Sequence, residues 1–202
     1  MNLYYSPGAC SLSPHIVLRE AGLPFTPVMA STKTHQLADG TDYYTINPLG
    51  YVPLLELDDG QRLHEGPAIV QYIADQVPDK QLAPPAGTMA RYRLIEWLNF
   101  ITSELHKGFS PLFNKDFPEA GKEILRRKLT DRLAWVDREL EGKAYLMGER
   151  FSVADAYLFT IVNWTNFIGL DVSEFKHLAA YMKRVAERPA VHAAMKAEGL
   201  VK

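Results

Sequence analysis

The chain has 202 residues, 47% of them apolar and 23% charged, with 22 basic against 24 acidic side chains and a formal net charge of −2. That length suits one large domain or two small ones with real cores, and the near-neutral charge excludes an electrostatic case for nucleic acid or an anionic membrane surface. A single cysteine excludes an intrachain disulfide and points to a reducing, cytoplasmic setting; no apolar run reaches membrane-spanning length, and the six histidines lack paired ligand spacing, so no metal site is expected.

Asn2 to Tyr5 reads as a strand by its aromatic content, and Pro7-Gly8 breaks it. An apolar helical pattern follows through Leu12, Ile16, Val17, Leu18 and Ala21, with Ser11 or Ser13 placed to cap it and Pro14 tolerated in its first turn. Cys10 therefore stands between a strand end and a helix start. Free N–H groups and the positive end of the helix dipole gather there and favour a thiolate. A free cysteine is also commonly a small buried hydrophobe, and position alone leaves both readings open.

Thr26 to Ala30 reads as a second strand, so the opening unit is strand–helix–strand, implying parallel pairing through a right-handed crossover. Residues 31–50 are polar and turn-rich. Val52-Pro53 then opens a strand through Leu57, Asp58-Asp59-Gly60 forms a hairpin turn, and Gln61 to His64 returns. Glu65-Gly66-Pro67 starts a helix through Ile69, Val70, Ile73 and Val77. This order is that of a thioredoxin-like domain. The prolines at 78, 84 and 85 and Gly87 mark a linker.

Helical patterns follow over 88–114, 119–140, 153–168 and 174–198. In the first, Leu94, Leu98, Ile101 and Leu105 form an apolar stripe. At about 100° per residue Asn99, Ser103 and His106 fall within about 60° of one another; they form either a solvent face or a polar wall facing a cleft. Phe109 and Phe113 extend an aromatic surface. Ser152 and Asp155 have the spacing of a reciprocal helix-start box, which makes Asp155 structural. The helix they open carries Tyr157, Trp164 and Phe167.

Five stretches, taken together and in this order, resemble the bacterial beta-class glutathione S-transferases over essentially the whole chain. They are Tyr4-Tyr5-Ser6-Pro7-Gly8-Ala9-Cys10-Ser11, Asn47-Pro48-Leu49-Gly50-Tyr51-Val52-Pro53, Glu65-Gly66-Pro67-Ala68-Ile69, Ser103-Glu104-Leu105-His106-Lys107 and Phe151-Ser152-Val153-Ala154-Asp155. The resemblance implies an α/β plus all-α fold. Residues 1–78 would be a thioredoxin-like, glutathione-binding domain ordered β-α-β-α-β-β-α. Residues 79–87 would be a linker, and residues 88–202 an all-helical domain carrying the electrophile site. It also implies a homodimer, glutathione as co-substrate without a metal, and a cis Val52-Pro53 bond. The Val52 backbone would pair with the cysteinyl unit of glutathione as an added strand does. Glu65 and Gly66 would hold the γ-glutamyl end. His35, Pro53, Asn99, Ser103, Glu104 and His106 complete the implied glutathione contacts, some directed to the partner subunit's site. Cys10 and His106 would flank the glutathione sulfur.

Three positions depart from the family pattern. Gly66 stands where serine is usual, His35 where lysine is common, and Leu49 where lysine is often found. The expected reaction is conjugation of the glutathione thiolate to a small hydrophobic electrophile lying among Phe109, Phe113 and Trp164. Ser11 is a rival activator to Cys10, as is Tyr5. Cys10 also permits glutathione-dependent thiol exchange or reductive dehalogenation. A non-catalytic glutathione- or ligand-binding protein of the same fold is the alternative.

Overall fold

The computed structural model describes residues 1–202. The chain forms two compact units, Met1–Ala83 together with Glu187–Lys202, and Pro84–Ala186.

The first unit is built on a four-stranded sheet ordered β2-β1-β3-β4. Strand β1 (Asn2–Tyr5) runs parallel to β2 (Thr26–Met29) and antiparallel to β3 (Leu54–Glu56), which pairs antiparallel with β4 (Arg62–Leu63). Helices α1 (Leu12–Ala21) and α2 (Gly66–Asp75) supply Ile16, Val17, Ile69, Val70 and Ile73, all buried with Leu3, Leu54 and Leu55 of the sheet. Between β2 and β3 only one 3₁₀ turn forms, Tyr43–Thr45, so the helix expected there is a single turn. Asp42 caps it by accepting the N–H of Tyr44 at 3.0 Å, and the polar stretch around it has too few apolar residues to bury a longer helix face.

The expected helix over 174–198 is two helices, α8 (Lys176–Ala186) and α9 (Pro189–Ala197). Arg188 precedes a proline and is extended (φ −68°, ψ 132°), the conformation that proline imposes on its predecessor. The break corrects the expected domain boundary. Helix α9 packs on α1 of the first unit, burying Val191 and Ala194, while α8 stays with the helical unit. Arg188 ties this return segment to α1 through Glu20, with Nε and Nη2 at 2.6 and 2.9 Å from its two carboxylate oxygens.

The second unit contains α3 (Met89–Phe100), a π-helical segment (Ile101–His106), α4 (Lys107–Phe109), a 3₁₀ turn (Ser110–Phe113), α5 (Glu119–Glu139), α6 (Val153–Val162), α7 (Thr165–Ile168) and α8. Helix α6 is buried along its whole length, as its near-continuous apolar sequence requires of a central helix. Its start follows the expected box: the Asp155 carboxylate accepts the Ser152 N–H and hydroxyl, each at 2.8 Å. Asp155 also accepts the N–H of Leu146 at 2.8 Å and the Tyr181 hydroxyl at 3.1 Å. It is fully buried, and desolvation raises its pKa. No helix is long and apolar enough to cross a membrane.

Candidate active site

Cys10 lies just past a turn fixed at several points. The Ala9 N–H donates to the Ser6 carbonyl at 3.0 Å, and Gly8 has φ +71°. Proline second and a positive-φ glycine third are the residues of a type II turn. Ser11 locks the turn's first residue: its hydroxyl oxygen accepts the Ser6 N–H at 3.1 Å and lies 3.2 Å from the Ser6 carbonyl. Ser11 has no exposed surface, which corrects its expected role as a rival activator; its hydroxyl is spent on the backbone. Cys10 is partly buried and in no disulfide, and its Sγ stands 3.3 Å from the Val52 carbonyl oxygen.

The Val52-Pro53 bond is cis, as expected. The segment leading into it is held by residues whose part composition does not reveal. Both the Tyr43 hydroxyl (2.9 Å) and the Asn47 side-chain amide (2.7 Å) donate to the Tyr51 carbonyl. Tyr43 is fully enclosed, and burial pushes its pKa up to about 12, so it remains a donor. Asn47 also accepts the Leu49 N–H at 3.2 Å.

His35 sits in the left-handed region (φ 53°), with its ring 4.5 Å from that of Tyr44. Its Nδ1 is enclosed without a hydrogen-bond partner. Any ligand group must therefore be met through the other ring nitrogen.

Glu65 is the residue before α2 and has φ 65°, ψ 113°, a region costly for a side-chain-bearing residue and commonly found where a ligand is clamped. That conformation aims the start of the helix. Pro67 lacks an N–H, and the Ala68 and Ile69 N–H groups both turn back to the Glu65 carbonyl at 3.0 Å. The Gly66 N–H is the donor left for an anion.

In the helical unit, the single polar stripe expected of Asn99, Ser103 and His106 does not form. Asn99 and Ser103 are exposed, with the Ser103 hydroxyl donating to the Asn99 carbonyl at 3.1 Å. His106 is largely buried. The cause is the π-helical segment, whose wider turn breaks the 100° phase across 101–106; such segments concentrate at functional sites. His106 Nδ1 lies 2.7 Å from the Tyr157 hydroxyl, and its ring packs edge-on to Trp164 at 5.0 Å. Thr102 spends its one hydroxyl proton on the Leu98 carbonyl at 2.8 Å and stands 3.4 Å from Tyr157, the weaker partner. With the Tyr157 proton on this bond to His106 Nδ1, the imidazole proton stands on Nε2. Burial, with a smaller contribution from Lys107, lowers the His106 pKa to about 4, so the ring is neutral near pH 7. Tyr157 is a residue that the sequence reading places on α6 without a role.

Glu104 is bound to its own unit, accepting from Arg132 Nε at 2.8 Å with Lys128 Nζ at 3.3 Å; the Arg132 hydrogen bond holds its pKa below the usual carboxylate range. Of the expected electrophile wall, Phe113 is 46% exposed and meets the nearly buried Trp164 edge-on at 5.4 Å. Phe109 is completely buried behind Trp164, at 6.1 Å. It supports that ring and offers no surface of its own, a correction to its expected role in contacting an electrophile.

Residues 8–76 match the family description "Glutathione S-transferase, N-terminal domain" and residues 100–189 match "Glutathione S-transferase, C-terminal domain". Glutathione S-transferase GstA of Escherichia coli O157:H7 is 50% identical over 200 residues, covering 99% of this chain and 100% of that one. The solved structure of a bacterial beta class glutathione S-transferase from Sphingomonas chungbukensis is 49% identical, with a TM-score of 0.96 and 100% of both chains covered. A sphingomonad glutathione S-transferase complexed with glutathione is 46% identical, with a TM-score of 0.95 and the same coverage. This chain belongs to the glutathione S-transferase family, in its bacterial beta class.

Proposed function

We propose that this protein conjugates glutathione to small hydrophobic electrophiles. Glutathione lies along the Val52 backbone beside cis-Pro53. Its γ-glutamyl carboxylate meets the Gly66 N–H at the start of α2, with Glu65 and His35 as further contacts. The glutathione thiolate is the nucleophile. Cys10 meets it as a hydrogen-bond donor, and His106 stabilises it through the Nε2–H that Tyr157 orients. The thiolate sulfur bonds to the electrophilic carbon, the carbon–halogen bond of a typical substrate breaks, and halide leaves. Trp164 and Phe113 give the electrophile an apolar, aromatic surface. Asn99, Ser103 and Glu104 serve the shared site of a homodimer. The setting is cytoplasmic.

The observation that carries this reading is the approach of Cys10 Sγ to the Val52 carbonyl, 3.3 Å across 42 residues of chain, at the head of α1. The glutathione-bound relative supports the ligand. The test is conjugation of glutathione to an activated chloronitrobenzene, followed as thioether formation. Product formation with wild type, and its loss in the His106→Ala variant, is expected. Binding of glutathione without any product would favour the non-catalytic alternative.

Cys10 is in no disulfide and is partly exposed, which favours a second reaction at the same site. Its thiolate attacks one sulfur of glutathione disulfide, the S–S bond breaks, a Cys10–glutathione mixed disulfide forms and glutathione thiolate departs. Cys10→Ala should abolish this exchange while sparing conjugation in part. A Ser11→Ala loss is not evidence for Ser11 chemistry, because that hydroxyl holds the turn at Ser6.

A further inference from the structure

The helical unit carries a cavity whose lining shares no residue with the site described above. It is lined by α3, by α5 and by the segment that follows α5, and its volume is about 570 Å³. That volume lies within the range of small-molecule sites, about 300–1,000 Å³.

The floor is aromatic. Trp135 of α5 is its central ring. The Phe100 ring stands 4.6 Å from it at 54° and the Trp97 ring 5.2 Å from it at 36°, while Trp97 meets Phe100 edge-on at 5.8 Å. None of the three is fully buried. Two tryptophans and a phenylalanine, half-covered in one patch, leave apolar ring surface in water, and a flat aromatic ligand would remove that cost. Leu146 and Met147 complete the floor, and the unbranched Met147 thioether adapts to the shape that lies on it.

The rim sets the charge of the ligand. Four charged side chains border the cavity, and each is paired with another of the four. Arg93 Nη1 stands 2.9 Å from the Glu96 carboxylate, and Lys143 Nζ 3.6 Å from that of Glu139. The two cations and two carboxylates cancel. An anion finds no unmatched cation here, and an organic cation finds both carboxylates already engaged.

We infer that this cavity is a second binding site, for an uncharged, planar, polycyclic or biaryl molecule stacked on Trp135, separate from the site of conjugation. The inference does not rest on the function proposed above. A second copy of this chain fits the cavity less well. A stable interface takes about 800 Å² from each partner. The apolar floor here is five side chains closed in by four charged ones, and the exposed large apolar residues of this unit, Tyr92 and Ile124 among them, lie outside the lining.

The test uses two dyes that brighten in apolar surroundings: N-phenylnaphthylamine, which is uncharged, and anilinonaphthalene sulfonate, the same ring system carrying an anion. Fluorescence titrations compare wild type with Trp135→Ala, Lys143→Ala and Phe113→Ala. Wild type should bind the neutral dye saturably, and the sulfonate about tenfold more weakly, because its charge must keep its water. Trp135→Ala should lower affinity for the neutral dye about tenfold, and Lys143→Ala and Phe113→Ala should leave it unchanged. The inference is overturned if wild type binds neither dye, if Trp135→Ala keeps wild-type affinity, or if Phe113→Ala loses as much as Trp135→Ala does. A preference for the sulfonate that disappears in Lys143→Ala would overturn it as well. Light scattering on the same samples reads the oligomeric state: a Trp135→Ala protein with fewer chains per particle than wild type would assign the cavity to a second copy, against the inference. Should Trp135→Ala not fold, Met147→Glu, which places a carboxylate on the floor, carries the same comparison.

Discussion

Removing the His106 imidazole should change how stability depends on pH, and the structure sets the size of the effect. In the unfolded chain a histidine titrates near 6.5. In the fold, burial lowers His106 to about 4. The folded value lies below the unfolded one, so the sign is fixed. Above about pH 6.5 the ring is neutral in both states and stability is unaffected. As pH falls toward 4 the unfolded chain takes up a proton that the native state refuses, and native stability is lost. The interval from 6.5 to about 4 corresponds to about 3 kcal/mol at full effect, of which about 2 kcal/mol is already lost by about pH 5. Urea unfolding of wild type and His106→Gln at about pH 7 and pH 5 measures it, the variant correcting for every other group that titrates. Wild type should lose about 2 kcal/mol more than the variant over that range. Equal losses would mean that His106 titrates as an ordinary exposed histidine, and a donor role for a permanently neutral ring would fall with that result.

At position 66, a β-carbon would stand 3.9 Å from its nearest neighbour, Pro53 Cγ, so Gly66→Ser fits without displacement. It adds a hydroxyl donor where an anionic ligand is expected, and KM for glutathione should fall about tenfold with kcat unchanged, the pattern of uniform binding; an unaltered KM in steady-state kinetics would remove the γ-glutamyl end from this helix start. Asp155→Ala strips the acceptor from the Leu146 and Ser152 N–H groups and from the Tyr181 hydroxyl, all buried. Chemical denaturation should show a loss of about 3 kcal/mol or more, with kcat of the folded fraction unchanged. A loss of kcat in well-folded protein would instead make Asp155 part of the chemistry.

Much of the first unit is legible in the residues because local signals and packing agree. The Asn2–Tyr5 strand, the helix after Cys10, the Asp58-Asp59-Gly60 hairpin and Pro67 at a helix start all stand where turn chemistry and periodicity put them. The cis Val52-Pro53 bond is different: proline makes it accessible, but only resemblance made it an expectation. The failures share a cause, which is non-local packing. No periodicity announces the π-helical turn at 101–106, and assuming an even 100° step placed His106 on the exposed face of Asn99 and Ser103. Phe109 and Phe113 are alike in sequence and both meet Trp164 edge-on, yet one is enclosed and the other open. The return of α9 to α1 was half visible. Arg188-Pro189 signals a break, but the buried partners that draw the segment back, His15 and Glu198, stand 183 residues apart.

The most direct test of the whole account is a crystal structure with glutathione bound. The tripeptide should lie extended beside Pro53, its cysteinyl backbone paired with Val52 and its sulfur within hydrogen-bonding distance of Cys10. Density for the peptide at any other place, with the thiol of Cys10 still resting on the Val52 carbonyl, would contradict it.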